Sequence, residues 1–137
     1  MALLEAAALV ERRLDRAVST ILGISFSEYR LLQALGTAHE NSATRVDLAA
    51  SVGLTPSAVT RALKPMEKIG YVTSQKSDRD ARRSLATLTK AGLEQLANAQ
   101  GIVDDVVSDL PVESLDLQVL TELQENLLAR SAARRRR

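Results

Sequence analysis

Along the first stretch of the chain, apolar side chains recur at Leu3, Ala7, Val10, Leu14, Ala17 and Ile21, with no Gly or Pro until Gly23. Steps that alternate between four and three residues fall on one face of a helix, so the pattern predicts a helix over 2–22 with a single apolar seam. A seam sustained that far serves either the chain's own core or a helix–helix contact between two chains. Ser25 followed by Glu28 has the spacing of a capping box ahead of Tyr29, Leu31, Leu32 and Leu35, which predicts a second helix reaching residue 38. Residues 39–43 read as a loop, and the single histidine, His39, sits at its start as a surface residue rather than a ligand.

Two short helical patterns follow. Thr44 and Asp47 form another capping pattern ahead of Leu48, Ala49 and Ala50, and Val52-Gly53-Leu54 ends that segment. Thr55 then reads as an N-cap, with Pro56 at the first helical position, where a missing N–H costs nothing. The helix it opens places Val59, Ala62, Leu63, Met66 and Ile69 on one face, and Ser57, Thr60, Arg61, Lys64 and Lys68 on the other. Two short helices joined by a tight glycine-containing turn, the second polar and basic outward, make a helix-turn-helix pattern. Pro65 lies inside the second of them, where its ring crowds the Arg61 carbonyl and one N–H is lost, so a kink or an earlier end is expected there.

After Gly70, residues 71–76 have the β-branched and aromatic content of a strand, and 84–88 alternate as a second strand does. Residues 77–83 between them are polar and lack an apolar anchor, which predicts a hairpin with a charged tip, a wing beside the helix-turn-helix. Thr89 caps a long helix bearing Leu93, Leu96, Ile102, Val103, Val106, Val107 and Leu110, and Pro111 breaks it. A final helix over 113–130 repeats the seam at Leu117, Leu120, Leu123 and Leu127. One hairpin and one helix-turn-helix cannot cover three such stripes, so the terminal helices are expected to meet between two copies, with Leu3, Val10, Leu14, Leu120, Leu123 and Leu127 at the contact. The expected fold is mainly α with a small β-hairpin wing, one domain over 1–137. Within it, 25–90 form a winged helix-turn-helix, 1–22 and 91–130 are long dimerisation helices, and 131–137 is a disordered basic tail.

Composition narrows the chemistry. The chain has 137 residues, 45% hydrophobic and 26% charged, enough to bury a core. It has no cysteine and one histidine, which excludes disulfides, thiolate metal sites and thiol redox sensing, and no cofactor is expected. No apolar run approaches the roughly 20 residues needed to span a bilayer, and acidic Glu5 replaces the basic start of a secretory signal, so no membrane partner and a cytoplasmic location are expected. No nucleophile–base pairing and no glycine-rich phosphate loop stand out, so an enzyme is not expected.

The net charge of +1 hides a strong division. Residues 44–90 hold nine basic and four acidic side chains, 91–129 hold no basic and eight acidic ones, and 130–137 hold five basic and none acidic. A locally basic middle points to a polyanion, and duplex DNA fits the helix-turn-helix beside it. A helix in the major groove reads base edges with polar residues near its N-terminus, here Thr55, Pro56, Ser57, Thr60, Arg61 and Lys64. Arg61 suits a bidentate contact to guanine, and Arg45 in the preceding helix is placed for the DNA backbone. In the wing, Arg79, Arg82 and Arg83 suit a narrow minor groove, with Asp78 and Asp80 orienting the guanidinium groups. Two recognition helices in a dimer predict a palindromic operator with half-sites about 10 bp apart. The alternative reading is a winged-helix module that binds protein and not DNA, with the acidic 91–129 segment as its surface.

Leu48-Ala49, the run Gly53-Leu54-Thr55-Pro56-Ser57-Ala58-Val59-Thr60-Arg61, the run Glu67-Lys68-Ile69-Gly70-Tyr71-Val72, and Asp78-Arg79-Asp80-Ala81-Arg82 with Leu88-Thr89-Lys90-Ala91-Gly92 after it resemble the MarR family of bacterial winged-helix transcription regulators. The resemblance covers essentially the whole chain. It implies a homodimer formed by the terminal helices, bound to a pseudo-palindromic operator and usually repressing transcription. It further implies release from DNA by a small aromatic or phenolic effector. Asp80 and Arg82 match the family's wing Asp-x-Arg, which implies Arg82 in the minor groove and Asp80 holding it. Pro65 departs from the family's regular helix, and the absence of cysteine excludes the peroxide-sensing mechanism of some members.

Overall fold

Ser25 fixes the start of α2 (Phe26–Thr37): its hydroxyl accepts the Glu28 N–H at 3.0 Å, and the Glu28 carboxylate accepts the Ser25 N–H at 3.1 Å. Asp15 on α1 (Ala2–Leu22) takes the Phe26 N–H at 2.8 Å, so a further free donor of the first turn is satisfied across the helix pair. The computed structural model describes residues 1–77 and 80–136, the side chains of 76, 77, 80–83 and 135 excepted. The remaining elements are a 3-10 turn at His39–Asn41, β1 (Ser42–Thr44), α3 (Arg45–Val52), α4 (Pro56–Ile69), β2 (Val72–Ser77), β3 (Asp80–Leu88), α5 (Lys90–Ser108) and α6 (Leu117–Arg135).

Helix α2 is the hub. Leu31, Leu32 and Leu35 are completely buried, and α2 packs against α1, α3, α4, α5 and β3. Tyr29 joins them, its ring stacked on Phe26 and its hydroxyl donating to Gln100 Oε1 on α5 at 2.6 Å. Gln100 in turn donates to Asp104 Oδ1 at 2.8 Å. The three strands form an antiparallel sheet in the order β1-β3-β2. Ser42 and Thr87 share a hydroxyl hydrogen bond of 2.7 Å across the β1–β3 pair.

Several expected boundaries move. Residues 42 and 43, expected as loop, join the cap residue Thr44 in β1, because the edge of β3 offers unpaired backbone groups that three small residues satisfy without any apolar alternation of their own. Strand β3 begins at Asp80 rather than 84, so the hairpin stays paired far into the polar segment, with Ser77 opposite Asp80. Thr44 accepts the Asp47 N–H at 3.1 Å, and the reciprocal half of that capping pattern is absent among the described contacts. The seam of α1 also shifts: Leu14 and Val18 are buried while Ile21 is exposed, because the lower half of the helix turns Val18 and Leu22 toward α2 and α5. Pro65 does not end α4. The helix runs unbroken to Ile69, and Pro65 lies on its exposed side. The last helix starts at Leu117, where Asp116 accepts the Gln118 and Val119 N–H groups, and it continues through Arg135, so most of the basic tail is helix.

Helix α5 is seated on the end of α4 through a small set of backbone contacts. Thr89 donates its hydroxyl to the Gly70 carbonyl at 2.6 Å and its N–H to the Tyr71 carbonyl at 3.1 Å, while its oxygen accepts the Gly92 N–H at 3.0 Å. Gly70, with φ of 96°, ends α4 in the left-handed region that makes this approach possible. No helix among the described residues is long and apolar enough to cross a membrane, and no cluster of three metal-ligating side chains occurs among them.

A Cβ at Gly92 would collide with the Tyr71 carbonyl and lie 2.9 Å from Leu88 Cδ2. Gly92→Ala is therefore expected to lower stability by about 1–3 kcal/mol, measured by urea unfolding, and an unchanged midpoint would contradict this packing. Burial, reinforced by the Asp104 carboxylate, pushes the Tyr29 hydroxyl above its ordinary value of 10.0. The unfolded chain then releases this proton before the folded one does, so stability falls as pH rises from about 10 through the folded pKa. In a Tyr71→Phe background, the single tyrosinate absorbance change is expected to have its midpoint above 10, and a midpoint at or below it would refute the burial effect.

Candidate nucleic-acid interface

Helix α4 separates its two faces cleanly. Val59, Leu63 and Met66 are fully buried at helical spacing and hold the helix against α2, α3 and β2. Ser57, Arg61, Lys64 and Lys68 project from the exposed side at steps of four, three and four, so they form one stripe. Among the described residues, none of these four makes an ion pair or a side-chain hydrogen bond to the protein. The stripe starts at a helix N-terminus whose Thr55 hydroxyl accepts the Ala58 N–H at 3.2 Å and whose Pro56 occupies the first turn. Thr60 is partly withdrawn from this face, since its hydroxyl donates to the Pro56 carbonyl at 3.0 Å. An exposed helix front with three cations, no acid in its first turn and free N–H groups favours an anion in front of it.

Arg45 sits elsewhere than expected. It opens α3, yet its guanidinium turns inward to Glu67 on α4 and to Ser74 and Ser84 on the hairpin strands, and its side chain is only 20% exposed. Its guanidinium is thus engaged within the protein as well as lying at the start of α3. Glu67, Ser74 and Ser84 did not stand out in the sequence as site residues, because they lie 22 to 39 positions from Arg45 and only the sheet register brings them together. The wing residue Arg79 and the side chains of Asp80, Arg82 and Arg83 lie outside the described residues. The backbone of β3 does place residues 80–83 at the far end of the hairpin from the Val72–Leu88 pair.

The residues expected at a dimer contact divide. Leu14 is buried and Val10 and Leu120 are partly covered, whereas Leu3, Leu123 and Leu127 are exposed. In α6 every described side chain except Leu120 is exposed, so this helix leaves its leucines uncovered by its own chain. Between α1, the start of α2 and the 110–115 connection lies a cavity of about 730 Å³, lined by Val10, Leu14, Phe26 and Leu115 with Arg30 and Glu11 as its charged side chains. Arg30 and Phe26 carried no signal in the sequence, since a cavity of this kind is set by how helices diverge and not by local spacing.

A family model described as the MarR family matches residues 22–83. The uncharacterized helix-turn-helix-type transcriptional regulator YdgJ of Bacillus subtilis is 29% identical over 111 residues, which cover 77% of this chain and 66% of YdgJ, just under two thirds of its length. Among solved structures, Sco3205, a MarR family transcriptional regulator from Streptomyces coelicolor in complex with DNA, is similar with a TM-score of 0.81 and 26% identity, covering 96% of this chain and 82% of that one. NadR in complex with 4-hydroxyphenylacetate is similar with a TM-score of 0.71 and 24% identity, covering 96% of this chain and 89% of that one.

Proposed function

We infer that this chain is a member of the MarR family, whose model matches residues 22–83, and we propose that it is a homodimeric, sequence-specific DNA-binding transcription regulator that represses a palindromic operator. The observation that carries the reading is the exposed stripe of Ser57, Arg61 and Lys64, unpaired among the described residues, on a helix whose Val59, Leu63 and Met66 are fully buried on the opposite face. Such a helix enters the major groove as a rigid body, with Arg61 for a guanine edge and Lys64 for phosphate. Thr55, Pro56 and Thr60 shape its front. Arg79, Arg82 and Arg83, with Asp80 orienting them, would reach the adjacent minor groove. Sco3205, which has this fold, was solved with DNA.

The second copy is needed by the apolar surface. Leu3, Leu4 and Leu9 on α1 and Leu117, Leu123 and Leu127 on α6 are exposed, and burying one leucine fully is worth about 1.5–3 kcal/mol. A two-fold pairing of α1 and α6 covers these residues and sets two α4 helices toward DNA, with half-sites about 10 bp apart. Arg61→Ala is expected to weaken binding to a genomic fragment selected by the protein by about 1–3 kcal/mol, with a much smaller loss on random DNA. Fluorescence anisotropy across a salt titration measures both, and a variant that binds like the parent on both sequences sinks the assignment.

The cavity beside α1 fits the effector role. Its apolar walls suit an aromatic ring, Arg30 at its margin suits a carboxylate, and NadR was solved with a small phenolic carboxylate. The cavity lies between a dimerisation helix and the first helix of the DNA-binding lobe, so a ligand there changes the preferred separation of the two lobes and hence of the two reading helices. With 4-hydroxyphenylacetate as probe, a rise in melting temperature and loss of DNA binding are expected for the parent and not for Arg30→Ala. Equal responses of the two proteins would remove Arg30 from the role.

A further inference from the structure

The hairpin has little to hold it beyond its base. Its buried described side chains are Val72, Ala86 and Leu88, all near the α5 end, whereas Thr73, Ser74, Gln75 and Leu85 are exposed. Beyond the β1 pairing at Leu85–Thr87 the hairpin is a two-stranded ribbon, marginal in water on its own, so the direction of its outer part depends on the polar contacts made at that margin. Arg45 supplies them. Its Nη2 lies 3.3 Å from Glu67 Oε1 and donates to Ser74 Oγ on β2 at 2.9 Å, and its Nη1 donates to the Ser84 carbonyl on β3 at 3.3 Å and to the Ser84 hydroxyl. The Ser74 hydroxyl also donates to Glu67. One planar guanidinium therefore joins the first turn of α3, the last turns of α4 and both strands of the hairpin. A lysine ammonium, a single point of charge, does not span these four partners.

We propose that Arg45 is a positioning residue for DNA recognition: it fixes the angle between the hairpin and α4, so that sequence flanking the half-site is read in register with the half-site itself. This rests on the DNA-binding function proposed above. Arg45 touches no base in this role. It acts through the hairpin, and it converts two loosely connected contacts into one rigid reading surface, which lowers the ordering cost on binding.

The test pairs a DNA-free measurement with a DNA-binding one on the full chain. Amide hydrogen exchange is compared in the parent, Arg45→Ala and Arg45→Lys. In both variants, exchange at residues 73–75 and 84–87 is expected to rise at least about tenfold, the equivalent of one lost charge-assisted hydrogen bond of about 1.5 kcal/mol, with α1, α2 and α5 unchanged. Affinity is then measured for a selected fragment whose flank under the hairpin is A·T-rich or G·C-rich. The parent is expected to prefer one flank, and both variants to lose that preference while keeping the dependence on Arg61. Unchanged exchange overturns the clamp, and a rise throughout the chain reduces Arg45 to a general stabiliser and overturns the proposal. Loosened hairpin exchange with an intact flank preference overturns the positioning role. If the parent binds no DNA, the functional reading fails and the positioning role with it, while exchange still decides the contact. Ser84→Ala, which removes one acceptor and keeps the ion pair, serves if Arg45→Ala does not fold, with a smaller rise expected in the same two segments.

Discussion

Burial of one helix, α2, is the constraint on which the other elements depend. Leu31, Leu32 and Leu35 leave no apolar side of α2 open, and the elements that cover it come from both halves of the chain. Helix α2 packs against α1 and α5, which touch each other, and against α3 and α4, which do likewise. Interiors are close-packed and transmit displacement instead of absorbing it, so the reading helix and the helices assigned to dimerisation are mechanically joined through a shared wall. The Tyr29–Gln100–Asp104 chain adds a polar link along the same route, from α2 into α5.

The same arrangement divides the surface by chemistry. The winged segment carries the positive charge, while residues 91–129 carry acid without a single Lys or Arg. Apolar surface left uncovered within the chain is concentrated at its two ends, on α1 and α6. An acidic, partly apolar spine behind a basic head is repelled from a polyanion in most orientations and attracted in one. Under the proposed function, charge and apolar exposure cooperate: the spine that DNA would repel is also the part that a second copy would cover.

What the sequence made legible is what is encoded over short distances. The capping residues Ser25, Thr44, Thr55 and Thr89 mark four helix starts because a cap and the N–H it satisfies are two or three positions apart. The polar stripe of α4 is legible for the same reason, being a matter of helical period. Arg45 was not, since its partners come from a sheet register that no local pattern specifies, and a lone basic residue at a helix start reads equally well as facing solvent. Strand β1 was missed because three residues that borrow a neighbour's edge need no alternation of their own. Val18 took the place of Ile21 in the core because the rotation of α1 about its axis is set by α2 and α5, not by its own spacing.

That Ser57, Arg61 and Lys64 are unpaired among the described residues has a consequence for how such a protein changes over generations. Side chains that contribute nothing to the core, to caps or to ion pairs can be exchanged with effects on stability usually within about 0.5 kcal/mol. Under the proposed function, replacements along that stripe would alter which sequence is chosen without endangering the fold, whereas Gly92, Thr89 and Leu63 carry no such freedom. The architecture separates the residues that select from the residues that hold, so new specificities are reachable by single steps through folded intermediates.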